Sequence, residues 1–444
     1  MTKEELKQRC LQQIDKNQQR IISLGEELYK TPELGYKEFQ TTKRMEQALA
    51  STGLPVDAGI VYTGCCAKSS KKEGPTVAVL GELDCLVCKE HPDAISNGNV
   101  HACGHNVQLA NLFGCAAGLA ASGALQELGG SVKFIAIPAE ECLDFEYRDS
   151  LIKKKEIAFF GGKQEYLRRG GFDDVDMVLQ CHMMPLEKGK SCVLNTDCDG
   201  FMAKTVRFIG KAAHAGFSPF NGINALNMAE LALNNIHALR ETFKEEDKIR
   251  VSAVITHGGD VVNVVPSSVT MQIMVRAFHT QSMLESGKKI DRAVKAGAFA
   301  LGGQVEIQDR IGYLPLKTDR NLTALYRQNM VQYGGAAEDS FIDVIKTAGS
   351  TDLGDISHLK PCMHIWSSGV TGGLHTKDYR IADLQKAYIL PTKMLALTTI
   401  DLLYGKAEQA NAILKGYHPS YTKEDYLAFM EEHSRIDFFN GAMV

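Results

Sequence analysis

The segment HACGHN, residues 101–106, carries two imidazoles and one thiol at alternate positions. These residues, His101, Cys103 and His105, directly precede a long stretch, residues 107–125, that is mostly apolar. Imidazole nitrogen and thiolate sulfur are ligands that zinc and related divalent metals prefer. The sequence therefore predicts a metal site here. Local spacing does not separate His101 from the other two, so it is either a group behind the ligands or a surface residue.

Further potential ligands follow other apolar runs along the chain. They are Glu140 and Glu141 at the end of SVKFIAIPAEE (131–141), His182 at the end of VDMVLQCH (175–182), and His375 in the Gly-rich loop after CMHIWSS (362–368). In open α/β sheets the ligand crevice lies outside the carboxyl ends of the strands, so these groups can converge although they span most of the chain. Buried charges require partners, and their joint occurrence predicts one metal centre.

The adjacent glutamates predict a division of labour. One carboxylate can bind a metal while its neighbour takes a proton from an activated water and returns it to the leaving group. A pair of metals about 3.5 to 4 Å apart would hold both the nucleophile and a carbonyl oxygen. The chemistry predicted is hydrolysis of an amide-like bond.

Length and composition define the class of protein that must position these groups. A chain of 444 residues exceeds the size at which single cores stop growing, about 250 to 300 residues, so we expect two domains. Hydrophobic content of 44% and charged content of 23% are those of an ordinary globular protein. The formal charge of -4 is small and the basic residues are scattered, which argues against a nucleic-acid partner.

The chain also carries signals about its compartment. Residues 1–30 are charged and amphipathic, and no uninterrupted apolar run approaches about 18 residues, so we expect neither secretion nor a membrane span. Twelve cysteines, mostly in apolar runs, fit the buried reduced thiols of a cytoplasmic protein. The CLVC pair at 85–88 has redox or zinc spacing, but no second pair accompanies it, which favours core packing.

Apolar strands separated by helices in the first half, and again beyond about 318, predict a mixed, mainly parallel α/β sheet. Between them the pattern reads βαββαβ, the split ferredoxin-like unit. We therefore predict a discontinuous catalytic α/β domain, residues 1–196 and 316–444, interrupted by a smaller ferredoxin-like domain, residues 197–315.

Six motifs, in one order over nearly the whole chain, resemble the M20 family of metallopeptidases and amidohydrolases. The resemblance lies in the aminoacylase-like branch, which includes N-acyl-amino-acid hydrolases and p-aminobenzoyl-glutamate hydrolase. The motifs are HACGHN, PAEE (138–141), CHMMP (181–185), AAHAGFSP with NGINAL (212–226), VVNVVPSS (261–268) and GGLHT (372–376). Their agreement in order is specific for the family and much less specific for the substrate.

The resemblance implies a role for each candidate in the predicted metal centre. Cys103 and His105 match the family's ligand pair, with the thiolate in the bridging position that a carboxylate fills in other branches. Glu141, His182 and His375 match the remaining ligands, and Glu140 matches the general base. The implied cofactor is a pair of divalent ions, zinc or manganese, with cobalt and nickel as alternatives.

The resemblance also makes residues 197–315 a lid and dimerisation domain, and implies a homodimer. His214 matches the lid histidine that polarises the scissile carbonyl, often from the other protomer; the alternative is a turn-stabilising imidazole. Asn263 and Arg276 resemble lid positions that hold a substrate carboxylate. A salt-bridged strand arginine is an equally good interpretation of Arg276.

Three departures narrow the resemblance. Asn106 stands where many relatives have aspartate. It resembles the sub-branch that contains the B-type chain of aminobenzoyl-glutamate hydrolase and the Xaa-Arg or β-alanyl-lysine dipeptidases. The segment GSTDLGDISH (349–358) points to the same sub-branch. Residues 350–352 could equally cap a helix. After the glutamates, an insertion around 143–160 replaces the usual Gly-rich turn, either as part of the pocket rim or as a surface loop.

The sequence as a whole thus predicts a metal-dependent amidohydrolase or peptidase. Its substrate would be an N-acyl amino acid or a dipeptide-like compound with a free carboxylate, either p-aminobenzoyl-glutamate-like or Xaa-Arg and β-alanyl-dipeptide-like. The competing prediction is an inactive metal-containing binding or regulatory protein on the same scaffold.

Overall fold

The computed structural model describes residues 1–443, which form two compact units. The first unit comprises residues 1–197, 317–346 and 355–420. The second comprises residues 198–316, 347–354 and the segment from 421 onwards. The sequence pattern assigns all of 316–444 to the first domain, whereas the structure groups two of its segments with the second unit.

The described residues contain seventeen strands and thirteen α-helices. The strands are β1 (Val56–Ala58), β2 (Cys65–Lys68), β3 (Thr76–Glu82), β4 (Leu86–Val87), β5 (Asn99–Val100), β6 (Ser131–Ile137), β7 (Met177–Met183), β8 (Cys192–Cys198), β9 (Gly200–Ile209), β10 (Arg250–His257), β11 (Ser268–Ala277), β12 (Gln304–Tyr313), β13 (Phe341–Thr347), β14 (Cys362–Ser367), β15 (Val370–Thr371), β16 (Arg380–Ile381) and β17 (Ile436–Asn440). The α-helices are α1 (Lys3–Tyr29), α2 (Phe39–Ala50), α3 (His105–Ala121), α4 (Ala124–Glu127), α5 (Phe145–Lys153), α6 (Gly162–Arg168), α7 (Ala225–Ala238), α8 (Thr280–Ala300), α9 (Arg320–Gln332), α10 (Leu353–Ile356), α11 (Leu390–Leu403), α12 (Glu408–Gly416) and α13 (Lys423–Glu432).

Four parallel strands form the centre of the sheet in the first unit. The sheet order is β1-β2-β6-β3-β7-β14-β8-β13; β6, β3, β7 and β14 run parallel, while β2 and β8 run antiparallel to their neighbours. β6 and β7 are buried at every residue, as expected for apolar strands covered on both faces. The prediction of a mixed, mainly parallel α/β sheet is confirmed.

Helix α3 is the central helix of the first unit. Every residue from 105 to 119 is buried, and the helix packs against α1, α11 and β3. A helix that is apolar on all sides is stable only in such an interior position. Its burial holds the segment that begins with His105 firmly against the sheet.

The second unit contains the predicted βαββαβ element. Its antiparallel sheet has the order β10-β11-β9-β12-β17, and α7 and α8 pack on it. Along β11 and β12 buried and partly exposed residues alternate, because helices cover one face of the sheet. The ferredoxin-like prediction is confirmed.

β17 is a fifth strand that the sequence pattern did not reveal. It pairs antiparallel with β12, with Ile436 opposite Gln308 and Asn440 opposite Gln304. This pairing is the reason that the C-terminal segment belongs with the second unit. A five-residue run whose partner lies over a hundred residues earlier carries little local signal.

Among the described helices, none has both the length and the apolar character needed to cross a membrane.

Candidate metal centre

The turn before α3 places the first two candidate ligands. Gly104 has a φ of 90°, in the left-handed region that glycine adopts without strain. A Cβ at this position would lie 2.6 Å from the hydroxyl oxygen of Tyr379. The turn therefore requires glycine, and it buries the side chains of Cys103 and His105 on either side of it.

The other candidates reach the same place from the strand ends of the first unit. The sulfur of Cys103 lies 3.4 Å from Nε2 of His182 and 3.2 Å from Nε2 of His375. Nε2 of His375 lies 3.0 Å from Oε1 of Glu141. Residues separated by up to 272 positions thus meet in one cluster.

Two sets of donor atoms share the Cys103 sulfur. One set is Cys103, His105 and His182; the other is Cys103, Glu141 and His375, and within each set the donor atoms lie within 4.8 Å of one another. Nε2 of His105 and Oε1 of Glu141 are buried and make no well-aligned hydrogen bond within residues 1–443. Oε2 of Glu82 lies 3.1 Å from the first atom, and Nε2 of His375 lies 3.0 Å from the second. Buried ligand atoms of this kind, in a set of sulfur, nitrogen and oxygen, fit two divalent cations.

Hydrogen bonds behind the cluster fix the orientation of its side chains. Nδ1 of His105 donates to the main-chain carbonyl of Asp84 at 2.8 Å, and Nδ1 of His182 donates to the carbonyl of Met183 at 2.8 Å. Each bond leaves Nε2 as the nitrogen able to bind a metal. The Asp84 carboxylate also accepts a bond from the Glu141 main-chain N–H at 2.8 Å.

Sequence reasoning missed Glu82, at the end of β3. Its Oε2 lies 3.1 Å from Nε2 of His105, and its Oε1 accepts bonds from Lys163 and Gln180, both at 2.6 Å. Burial opposes ionisation, but Lys163 and His105 outweigh it and lower the pKa of Glu82. The acidic residues in GELD (81–84), at the end of an otherwise apolar strand, are the signal that could have revealed it.

The cluster attracts positive charge. Burial and the Glu141 carboxylate work against ionisation of Cys103, yet His182 and His105 lower the pKa of its thiol to about 6. Burial alone would lower the pKa of His375, but its contacts with Cys103 and Glu141 raise that pKa to about 11. Because protons and metal ions compete for these ligands, metal affinity here depends on pH.

Glu140 differs from its neighbour Glu141 in its electrostatics. Burial, followed by the charges of Glu82 and Glu141, raises the pKa of Glu140 well above the usual value. Burial also opposes ionisation of Glu141, but the close contact with His375 outweighs burial and lowers the pKa of Glu141. One carboxyl thus favours the proton and the other favours a cation, as expected for a proton carrier beside a ligand.

His101 is not a surface residue, because only 1% of it is exposed. Neither ring nitrogen has a hydrogen-bond partner within residues 1–443. Burial and the charge of His105 lower the pKa of His101 to about 3, so the ring is neutral. His101 lies outside both sets of candidate ligands.

His364 on β14 is a second buried neutral imidazole, and it makes stability depend on pH. Burial, then the charge of His182, lowers its pKa to about 3, against an ordinary value of 6.5. Above pH 6.5 its contribution to stability is complete, and it is lost as the pH falls towards 3, because the unfolded chain takes up the proton first. We expect about 2 kcal/mol of the free energy of unfolding to be lost for this reason between pH 7 and pH 5.

Urea unfolding of wild type and His364→Leu at the two pH values measures this loss. The variant should lack the 2 kcal/mol increment, within about 1 kcal/mol. Replacing the exposed His418 by leucine is the matched control and should leave the wild-type pH dependence unchanged. Equal pH dependence in wild type and His364→Leu would contradict the prediction.

The sequence also identifies the family of this chain. The profile of "Peptidase family M20/M25/M40" matches residues 78–396. The chain belongs to this family. It is a hydrolase of the M20 type, and residues 78–396 contain every member of the cluster.

Relatives of this M20 protein include two enzymes of known name. It is 29% identical to a Xaa-Arg dipeptidase of Mus musculus, over 90% of each chain. It is 27% identical to one of the subunits of p-aminobenzoyl-glutamate hydrolase from Escherichia coli, over 88% of this chain and 90% of that protein. A dinuclear metal-binding peptidase of the M20 family from Bacillus subtilis has the same fold, with a TM-score of 0.65, 20% identity, and coverage of 88% and 99% of the two chains.

The M20 departures at Asn106 and at 349–358 have structural counterparts. The Asn106 side-chain amide donates to the carbonyl of Gly25 at 3.0 Å and to the Tyr388 hydroxyl at 3.3 Å, which ties α3 to α1. An aspartate could not make the bond to the carbonyl. Thr351 accepts a bond from the N–H of Leu353 at 3.4 Å, in keeping with the capping interpretation of residues 350–352.

His214 and Asn263 lie on two adjoining segments of the second unit. The N–H of Ala215 donates to the carbonyl of Asn263 at 3.0 Å. Nδ1 of His214 accepts bonds from the N–H groups of Gly216, at 3.2 Å, and Phe217, at 3.0 Å. In the neutral ring the proton therefore lies on Nε2, and the exposed side chain can donate from that atom.

Arg276 is engaged inside the second unit. Its guanidinium donates to the carbonyl of Ala348 at 3.1 Å and to the hydroxyl of Ser350 at 2.8 Å, and it lies 5.5 Å from the ring centre of Phe201. These contacts hold the guanidinium of Arg276 against the segment 347–354. They also explain why residues 347–354 group with the second unit.

Proposed function

We propose that this M20 protein is a binuclear metal-dependent hydrolase that cleaves the amide bond of an N-acyl amino acid or dipeptide-like substrate with a free carboxylate. The observation that carries the proposal is the position of the Cys103 sulfur. It lies within 3.4 Å of the Nε2 atoms of both His182 and His375, and so joins the two sets of candidate ligand atoms.

Five residues would hold the two cations: Cys103, His105, Glu141, His182 and His375. The mixture of thiolate, imidazole and carboxylate suits zinc or manganese, with cobalt and nickel as alternatives. When bound, the ions supply the positive charge that polarises a carbonyl and makes water a nucleophile at neutral pH.

Glu140 is the proposed general base and acid. Its Oε2 lies 3.9 Å from Nε2 of His105, at the edge of the cluster. Its raised pKa makes it a stronger proton acceptor than an ordinary glutamate. It would take the proton of the attacking water and return it to the leaving nitrogen.

His214 is proposed to stabilise the oxyanion through its Nε2–H group. The bonds that its Nδ1 accepts hold this tautomer in place. The amide of Asn263 is proposed to bind the substrate carboxylate. Arg276 is proposed for the same role alongside the bonds that it donates to Ala348 and Ser350.

We further propose a homodimer formed through the second unit, which would act as a lid. Phe217, Phe220 and Val262 are 84%, 82% and 99% exposed, and clustered apolar side chains of this kind mark interaction surfaces. β10 is an edge strand whose outer side has no partner strand within residues 1–443.

We also propose a cytoplasmic location. None of the twelve cysteines forms a disulfide within residues 1–443, which supports this location.

The names of the relatives supply two candidate substrate classes. Xaa-Arg dipeptides follow from the mouse relative, and p-aminobenzoyl-glutamate from the Escherichia coli relative. A panel of dipeptides ending in arginine or lysine, β-alanyl dipeptides, p-aminobenzoyl-glutamate and N-acetyl amino acids tests both. The measurement is release of free amino acid, with Mn²⁺ or Zn²⁺ and with a chelator.

We expect chelator-sensitive release from at least one class. The preferred class then decides between dipeptidase and aminobenzoyl-glutamate hydrolase activity. Two bound ions without turnover on any compound would favour the inactive binding protein. Turnover that survives complete removal of metal would refute the proposal.

A further inference from the structure

Arg148 is a buried cation in the insertion that follows the two adjacent glutamates. It lies on α5 and is 1% exposed. One guanidinium nitrogen donates to the carbonyl of Phe160 at 2.6 Å, and another donates to the carbonyl of Glu141. The insertion thus reaches directly to the main chain of a proposed metal ligand.

Glu141 is consequently held at both of its main-chain polar groups. Its N–H donates to the Asp84 carboxylate at 2.8 Å, and its carbonyl accepts from Arg148 and, at 2.8 Å, from the main-chain N–H of Leu143. Its side chain then extends to His375, where Oε1 lies 3.0 Å from Nε2. Fixing both sides of the residue limits the directions that its carboxylate can take.

The chain leaves space for this guanidinium. A Cβ on Gly35 would lie 2.5 Å from a terminal nitrogen of Arg148 and 3.0 Å from Cα of Ala139. The ring of Tyr36 lies alongside, with its centre 5.4 Å from Cζ of Arg148. Burying a cation is costly unless its donors are used, and an apolar side chain would anchor a surface helix at lower cost.

We infer that Arg148 is a positioning residue of the metal centre, and that α5 is part of that centre. Through the carbonyl of Glu141 it holds the carboxylate that, with His375 and Cys103, forms one of the two sets of donors. The inference rests on the proposed function, since it concerns the retention of one of the two ions. It predicts that loss of Arg148 weakens this ion and spares the ion held by His105 and His182.

Calorimetric titration of metal-stripped full-length protein with Mn²⁺ tests the inference. For Arg148→Met we expect one of the two ions to bind about 10- to 100-fold more weakly, the usual effect of losing a group behind a ligand. The affinity for the other ion should remain at the wild-type value. Arg148→Lys, which can still donate to the Glu141 carbonyl, should restore part of the affinity.

Leu151→Ala is the matched control, because Leu151 is a buried residue of the same helix. It loosens the packing of α5 but keeps Arg148. Equal weakening by Leu151→Ala would show a general effect of the helix and overturn the inference, as would two ions of wild-type affinity in Arg148→Met.

Gly35→Ala supplies a second variant if Arg148→Met does not fold. The added methyl group displaces the guanidinium and should weaken the same ion. Wild-type affinity for both ions in a folded Gly35→Ala protein that has lost the Arg148 contact would also overturn the inference. A wild-type protein that binds no metal would instead refute the proposed function, and this result is distinct from the others.

Discussion

Replacing Glu140 by glutamine is expected to lower kcat by about two to four orders of magnitude while both ions stay bound. Glutamine has the size of glutamate but cannot accept or return a proton at neutral pH. Glu140 lies outside the two sets of donors that share Cys103, so its loss removes proton transfer and leaves the ligands in place. Steady-state kinetics on the best substrate, together with metal content by elemental analysis, measures both effects.

The neighbouring residue supplies the control. Glu141→Gln should remove one ion, because Glu141 contacts His375 and contributes a donor to the second set. If Glu140→Gln lost metal in a correctly folded protein, Glu140 would be a ligand and not the base. The structure shows how Glu140 could be a ligand. Its Oε2 lies 3.9 Å from Nε2 of His105, and Glu140, His105 and Glu82 form a third group of possible ligand atoms.

The pH profile of the wild-type enzyme gives a second test of the same assignment. Burial, followed by the charges of Glu82 and Glu141, raises the pKa of Glu140, and a base with a raised pKa is protonated and inactive at low pH. Activity should therefore rise with pH on the acidic side. Because part of the shift comes from the negative charge of Glu82, replacing Glu82 by a neutral residue should move this limb of the profile towards lower pH.

The sequence could predict the cluster because strand ends converge. Glu141 and His375 follow apolar strands, His182 lies at the end of another, and parallel strands present their carboxyl ends at one edge of the sheet. Cys103 and His105 enter the same edge from the start of α3. The βαββαβ unit was predictable for a different reason, because apolar residues recur with a different period in strands and in helices.

The residues that support the cluster were beyond this kind of reasoning. Glu82 acts through Lys163 and Gln180, which come from other elements, and no local spacing links the three. Arg148 looks like an ordinary helical arginine until the fold buries it against Glu141. Asn106 reads as a departure from a motif, whereas in the structure it is a tie between two helices. Such roles depend on tertiary contacts alone.

The second large effect is expected at Cys103. Replacing it by alanine should remove at least one ion and weaken metal binding by more than about 100-fold, since losing a group behind a ligand alone costs about 10- to 100-fold. The reason is that its sulfur is common to both sets of donors. Its pKa of about 6 also makes Cys103 an anionic ligand at neutral pH. By contrast, burial raises the pKa of other thiols, such as those of Cys115 and Cys181.

Elemental analysis and Mn²⁺ titration of Cys103→Ala measure the loss, and two variants interpret it. Cys181→Ala, a buried cysteine next to His182 outside both sets of donors, should keep both ions. Cys103→Asp places a carboxylate in the shared position and should recover two ions with a preference shifted towards manganese, because oxygen is a harder ligand than sulfur. Full metal occupancy in Cys103→Ala would show that the two sets of donors do not depend on the sulfur, and the proposed bridging role would be wrong.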